Sequence, residues 1–251
     1  MEKKKLETFI KKYSLNDTLE SVIWTNDKED LLTRAATSDR KLCSSARVEK
    51  LAAGFVDGVD VCIMDTKRLK KMLQPFGETI SLSLDIDDED KTRVRRLLIE
   101  DENNHMDYVT SERGAMDNVP SMKNIPPFDI EILINPSFRE RFNKAFSAFE
   151  DSDTLFTLVM NKKKKKLEIV LGYKGNGLSN RIGLGVETTA GKDVIKNPIS
   201  FTSKHLKEIL AANDDVENSI LKVAEAGLAT IEFEKNEFKS QYYLMKVEVE
   251  D

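Results

Sequence analysis

The stretch Asp65–Phe76, DTKRLKKMLQPF, places Leu69, Met72, Leu73 and Phe76 at i, i+3, i+4 and i+7. At about 100° per residue these positions form one apolar stripe, so the spacing predicts a short amphipathic helix with Thr66 as its cap. Lys67, Lys70 and Lys71 fall on the opposite face, with Arg68 at its border. Ser203–Leu210, SKHLKEIL, repeats the design: Ser203 as cap, Leu206, Ile209 and Leu210 inside, Lys204 and Lys207 outside. Two such helices, far apart in a chain of 251 residues, predict two similar halves.

A chain of this length can hold two domains, each able to bury its own core. Hydrophobic residues make up 40% and charged residues 33%, the balance of a soluble chain with a heavily charged surface. No apolar run approaches the roughly 20 residues of a membrane span. The N-terminus MEKKKLETF has no secretory h-region, so an intracellular protein is expected. Cys43 and Cys62 have no metal spacing and are too few for a disulfide framework; both are expected to be small buried residues. The net charge of −5 does not advertise a nucleic-acid partner. The local distribution is more informative: lysines crowd the amphipathic segments, acids collect in Asp85–Asp90, Glu100–Glu102 and the C-terminus, and a locally cationic face on an acidic protein can still bind and steer phosphate.

In order, Lys3–Tyr13 reads as a helix with Leu6, Phe9, Ile10 and Tyr13 inside and Lys4, Lys5, Lys11 and Lys12 outside. Strand candidates follow at Glu20–Trp24, Asp30–Ala35, Lys41–Val48 and Phe55–Met64, with Asn26–Asp27 and Ser38–Asp39 as turns. After the helix at Thr66–Gln74 come strands at Thr79–Leu84, Val94–Ile99 and Met106–Ser111. Arg113–Pro127 carries three prolines and no period, and reads as an extended connector. A strand at Phe128–Ile134 leads to Asn135–Pro136, a cap followed by an N1 proline. The helix Phe138–Phe149 then turns Arg139, Glu140, Asn143 and Lys144 away from Phe138, Phe142, Ala145 and Phe149. Strands at Thr154–Met160, Leu167–Tyr173, Asn180–Val186 and Asp193–Phe201 precede the second copy of the opening helix. Ser219–Ala224, Leu228–Glu234 and Gln241–Val249 close the chain. The expected class is α+β: an N-terminal domain over 1–116, a connector over 117–127 and a C-terminal domain over 128–251, each domain β-rich with two short helices.

No catalytic constellation and no metal or cofactor site is readable, so no enzyme is expected. His105 and His205 are isolated; His205 sits on the polar side of its helix, solvated or in loose contact with phosphate. GYKGNGLSN (Gly172–Asn180) lacks the GK[ST] ending of a phosphate loop and reads as a hairpin turn. DIDDED lacks the glycine and terminal glutamate of a calcium loop and reads as a solvated acidic turn. Lys162–Lys166 is either a charged hairpin tip or a phosphate contact. A single lysine-faced helix is ordinarily a solvated surface. Four in repeated places suggest a cationic wall for a duplex backbone: Lys4, Lys5, Lys11, Lys12, Lys67, Arg68, Lys70, Lys71, Arg139, Lys144, Lys204 and Lys207. Glu7, Glu140 and Glu208 dilute that charge and point to weak, mobile contact.

Several stretches resemble one family. LLTRAATSD (Leu31–Asp39), VDVCIMDTKRLKKML (Val59–Leu73), ILKVAEAGLATIEFE (Ile220–Glu234) and KSQYYLMKVEVED (Lys239–Asp251) are similar to segments of DNA sliding clamps. The likeness is to the phage type and also to proliferating cell nuclear antigen. The resemblance implies the DNA clamp fold and a head-to-tail homotrimeric ring around duplex DNA, with helices lining the hole. It implies a non-enzymatic DNA-polymerase processivity factor, loaded by a separate ATP-dependent clamp loader. It places subunit contacts on edge strands near Met106–Ser111 and Leu178–Val186, at Met106, Tyr108, Ile182 and Leu184. It places a polymerase-peptide pocket at Leu42, Met122, Ile125, Pro126, Tyr243 and Met245. Here Met245 and Lys246 replace the Ala-Pro that follows YYL in cellular clamps. The rival reading is a two-domain β-rich structural or assembly protein with no DNA role, its lysine faces merely solvated.

Overall fold

The amphipathic segments fold as the periodicity dictates. In the computed structural model four α-helices are present among the described residues, packed on sheets dominated by antiparallel pairing. The structure describes residues 1–52, 55–56, 58–117, 119, 124–149, 154–161, 163, 166–174, 179–191 and 195–248. Two compact units emerge: Met1–Thr37, Ser44–Ser121 and Glu234–Ser240 form unit 1, and Ser38–Cys43, Met122–Phe233 and Gln241–Asp251 form unit 2.

Unit 1 begins with α1 (Lys3–Ser14), followed by β1 (Val22–Asp27), β2 (Asp30–Ala36), β3 (Leu42–Val48) and β4 (Val61–Ile63). Next come α2 (Thr66–Leu73), β5 (Ser81–Ile86), β6 (Val94–Glu100) and β7 (His105–Val109). One sheet runs β4-β1-β2-β3 and the other β5-β6-β7. The β1–β2 turn lies at Lys28–Glu29 rather than at Asn26–Asp27, because Asp27 pairs with Asp30 and Lys28 takes the left-handed turn conformation. Among the described residues of the expected strand Phe55–Met64, only Val61–Ile63 form a strand. Leu6, Phe9, Ile10 and Tyr13 of α1 are buried, and the Phe9 and Tyr13 rings meet Trp24 of β1 edge-on at 5.8 and 6.4 Å. Each fully buried aromatic of this kind contributes about 2–3 kcal/mol of transfer free energy.

The two helices of unit 1 lie antiparallel. The Tyr13 hydroxyl is 3.5 Å from Thr66 Oγ1 at one end, and Lys3 Nζ donates to Phe76 O at 2.7 Å at the other. Thr66 is therefore not the cap. It is buried in the first turn, and Asp65 caps α2 by accepting from the Arg68 N–H at 2.7 Å. Burial also pushes the Tyr13 phenol well above its ordinary pKa.

Unit 2 comprises β8 (Ile130–Ile134), α3 (Pro136–Ser147), β9 (Leu155–Asn161), β10 (Lys166–Leu171), β11 (Ile182–Gly185) and β12 (Thr188–Gly191). It continues with β13 (Ile199–Thr202), α4 (Ser203–Ala212), β14 (Ser219–Ala224) and the greater part of β15 (Leu228–Lys235) and β16 (Phe238–Met245), whose Glu234–Lys235 and Phe238–Ser240 belong to unit 1. Its sheets run β12-β8-β14-β15-β16 and β11-β10-β9-β13. Asn135 caps α3 as its sequence predicts, accepting from the Phe138 N–H at 2.8 Å with Pro136 in the first turn. Phe138 stacks on Phe142 at 5.9 Å, Phe142 meets Phe156 edge-on at 6.3 Å, and Phe156 stacks on Phe201 at 5.3 Å. Ser203 is not a cap but a buried first-turn residue; Thr202 occupies the cap position without a side-chain bond. The sequence gives no sign of β12, a short strand with an irregular register against β8. Gly172 holds the end of β10 at φ +73, where a Cβ would lie 2.4 Å from Asn180 O, so only glycine fits this turn.

Candidate nucleic-acid interface

The buried stripe of each helix fixes which cations reach solvent. On α1, Lys4 and Lys11 are exposed. Lys5 is half-buried and pairs with Glu237 at 3.4 Å. Lys12, expected outside, is 2% exposed with its Nζ 5.9 Å from the centre of the Phe238 ring. It lies one residue from the Tyr13 stripe, and burial of its long stem against an aromatic ring offsets the loss of hydration. On α2, Lys67, Arg68 and Lys71 are exposed, whereas Lys70 is tied to Asp17.

Unit 2 sorts its cations in the same way. Arg139 turns inward rather than out: its Nη1 donates to Asn213 O at 2.9 Å, at the C-terminal end of α4, and its guanidinium lies 5.8 Å from the Phe233 ring centre. Desolvation lowers its pKa, the nearby Asp214 and Asp215 opposing that shift. Sequence reasoning placed Arg139 outside and overlooked Arg141, which is exposed and donates to Gly185 O at 3.2 Å. Both flank the Phe138–Phe142 stripe, so periodicity alone does not rank them. Lys144 is exposed and bonds Glu140 at 2.6 Å. On α4 Lys204 is exposed, and Lys207 is half-buried with its Nζ 4.7 Å from the Phe146 ring centre. Glu208 is buried and so adds no acid to the outer face. Helices α3 and α4 pack side by side, as α1 and α2 do.

His205 is buried, not solvated, and its Nδ1 has no hydrogen-bond partner among the described residues. Desolvation lowers its pKa; Asp39 opposes the shift and Lys204 adds to it. The unfolded chain therefore takes up the proton first as pH falls below the ordinary imidazole value of about 6.5. We expect stability to be level above that pH and to decline below it, with His205→Leu flattening the decline in urea-midpoint measurements across the same range. An unchanged slope in the variant would remove His205 as the cause.

The residues named for partner contacts divide by burial. Ile125 and Met245 are 44% and 37% exposed, and Pro126 and Tyr243 are half-buried. Leu42 is fully buried and presents no surface to a ligand, although the Met245 N–H donates to the adjacent Lys41 O at 2.9 Å. Met122 lies outside the described residues, as do Lys162, Lys164 and Lys165 of the lysine run and Gly175–Leu178 of the glycine-rich turn. Cys62 is buried but Cys43 is half-exposed, because alternate residues of β3 face outward.

Strands β7 and β11 are both edge strands, each pairing on one side only within its sheet. Met106, Tyr108 and Leu184 point into their own units, each 5–8% exposed, and the Tyr108 hydroxyl donates to Asp65 O at 3.1 Å. Ile182 is half-buried. The period of two instead turns His105, Asp107 and Val109 outward on β7, and Gly183 and Gly185 on β11. Among the described residues no group of three or more His, Cys, Asp or Glu is placed to hold a metal ion, and no helix is long and apolar enough to cross a membrane.

Paired antiparallel helices backed by β-sheet, once in each unit, define the sliding-clamp fold. Solved structures of proliferating cell nuclear antigen share it over almost the entire chain. The Entamoeba histolytica protein is 18% identical with a TM-score of 0.66, covering 96% of this chain and 94% of its own. In the PCNA2–PCNA3 complex from Sulfolobus tokodaii the matching chain is 10% identical at a TM-score of 0.66, covering 98% and 97%. The Thermococcus kodakaraensis protein is 15% identical at 0.64, covering 97% and 96%. No family model and no curated protein matches this chain by sequence. The likeness is thus one of fold.

Proposed function

We propose that this protein is a DNA sliding clamp: a non-enzymatic processivity factor that encircles duplex DNA as a homotrimeric ring and tethers a DNA polymerase. The observation that carries the reading is the repeated helix pair. Each unit exposes cations from two adjacent helices, and does so on the clamp fold. Such a surface suits phosphate contact without base readout, because lysine and arginine neutralise backbone charge wherever they meet it. A ring around DNA works by topology, so weak contacts favour sliding over gripping. Tethering makes re-binding of the polymerase intramolecular and raises its effective concentration. Opening the ring falls to a separate ATP-dependent loader, and the expected site of action is intracellular.

The test is topological. Loaded onto nicked circular duplex DNA, the protein should co-elute with the DNA at a salt concentration that strips non-specific binders, and linearising the circle should release it. Equal retention on both forms would show binding without encirclement and overturn the reading.

A further inference from the structure

The lysine run and the glycine-rich turn bracket β10 in sequence. The sheet β11-β10-β9-β13 that β10 belongs to carries α3 on one face, where Phe142 meets Phe156. Its other face carries Val159, Glu168, Val170 and Gly183, because Glu168 pairs with Val159 and Val170 with Gly183. This second face is the floor of a cavity of about 840 Å³, lined on a further side by Ile195 and Pro198. That is the size of a small-molecule site.

The floor and the rim differ in charge. Glu168, on the floor, is 8% exposed. Its Oε1 accepts from Asn161 Nδ2 at 2.9 Å, and Asn161 Oδ1 accepts from the Lys163 N–H at 3.1 Å, so the amide is engaged at both ends and holds the carboxylate in place. A Cβ on Gly183 would come within 3.1 Å of Glu168 Oε2, so the bare glycine gives the carboxylate its room. A carboxylate has about four acceptor positions, of which Asn161 takes one. Setting such a group among valines costs free energy that an apolar floor would not. On the rim stand Lys163, Arg181 and Lys196, all exposed. None of the three makes an ion pair with another described residue.

A ligand matched to this arrangement brings hydrogen-bond donors to the floor and negative charge to the rim. A lysine or arginine side chain meets the first need and is repelled by the second. Guanine meets the first without carrying charge: its N1–H and N2–H donors lie side by side on one edge and suit the two oxygens of a carboxylate. Adenine and cytosine set a ring-nitrogen acceptor beside their amino group and would bring it against the carboxylate. Phosphates meet the second need. We infer that this cavity is a guanine-nucleotide site, in which the Glu168 carboxylate takes the N1–H and N2–H of the base, Val159 and Val170 pack against its ring, and Lys163, Arg181 and Lys196 take its phosphates. The site lies within unit 2 on the sheet face turned from α3, and it stands whether or not the chain forms a ring.

Isothermal titration calorimetry on the full chain tests it, with GDP, ADP and inorganic pyrophosphate as probes and thermal melts as the control for folding. GDP should bind once per chain, about thirtyfold or more tighter than ADP. Glu168→Gln puts a donor where the base needs an acceptor, so GDP should fall to the level of ADP while pyrophosphate binds as before. Lys163→Ala with Arg181→Ala and Lys196→Ala should weaken GDP and pyrophosphate alike, by about a hundredfold, and leave melting unchanged because all three side chains are exposed. Should Glu168→Gln fail to fold, the GDP-to-ADP ratio of the wild type and the loss in the rim variant decide the matter. No heat with GDP, or equal affinity for GDP and ADP, would overturn the guanine site. Tighter binding of a blocked arginine dipeptide than of GDP would overturn it in favour of a peptide site.

Discussion

Replacing Lys4, Lys67, Arg68, Lys71 and Lys204 with alanine should shorten processive synthesis on a primed circular template by about tenfold or more at moderate salt, because each lost phosphate contact removes a unit of counterion release. These five are exposed cations of α1, α2 and α4, and none makes an ion pair with another described residue. Their removal leaves the buried stripes untouched, so melting should move little and the fold should persist. Lys12, Lys70 and Arg139 serve as the contrast. Lys12 is buried, Lys70 is tied to Asp17 and Arg139 holds the end of α4, so substituting them should cost stability before it affects DNA. The check is product length against salt for wild type and variant. If the alanine variant matches wild type at every salt concentration, the helices do not face DNA.

Truncating Ile125 and Met245 to alanine together should weaken binding of the polymerase's docking peptide by roughly thirtyfold or more, the scale of losing an interface anchor. Both side chains are large, apolar and exposed in unit 2, Ile125 in the proline-rich segment and Met245 at the end of β16. The clamp reading proposed above puts both on the surface that docks a polymerase peptide, and methionine adapts its shape to different ligands. Because neither is buried, the double variant should still assemble and still be retained on circular DNA. Calorimetric titration with the C-terminal peptide of the polymerase separates the outcomes. Unchanged affinity would move the docking site elsewhere, whereas lost affinity together with lost assembly would show that the change reached beyond the surface.

The apolar period of the sequence by itself determined where the four helices lie and which stripe each one buries. Phe138, Phe142 and Ala145, or Leu69 and Leu73, recur at helical spacing, and no other arrangement removes them from water together. Asn135–Pro136 marked its helix start because that pairing satisfies a first-turn donor and presets φ locally. Likeness in order and composition was enough to point to the clamp fold, which the PCNA structures share at only 10–18% identity. What the sequence left open was the fate of residues bordering a stripe. Arg139 and Arg141 flank the same phenylalanines, and the choice between them fell to Asn213 O and the Phe233 ring, which arrive from distant parts of the chain. Lys12 was decided by Phe238, Thr66 by Tyr13, and His205 by the packing around α4. Short strands were equally undetermined: β12 has four residues and an irregular register, and its partner β8 lies more than fifty residues earlier. Periodicity reports one chain's alternation between water and core, whereas a border residue's direction is set by whichever partner tertiary packing brings to it.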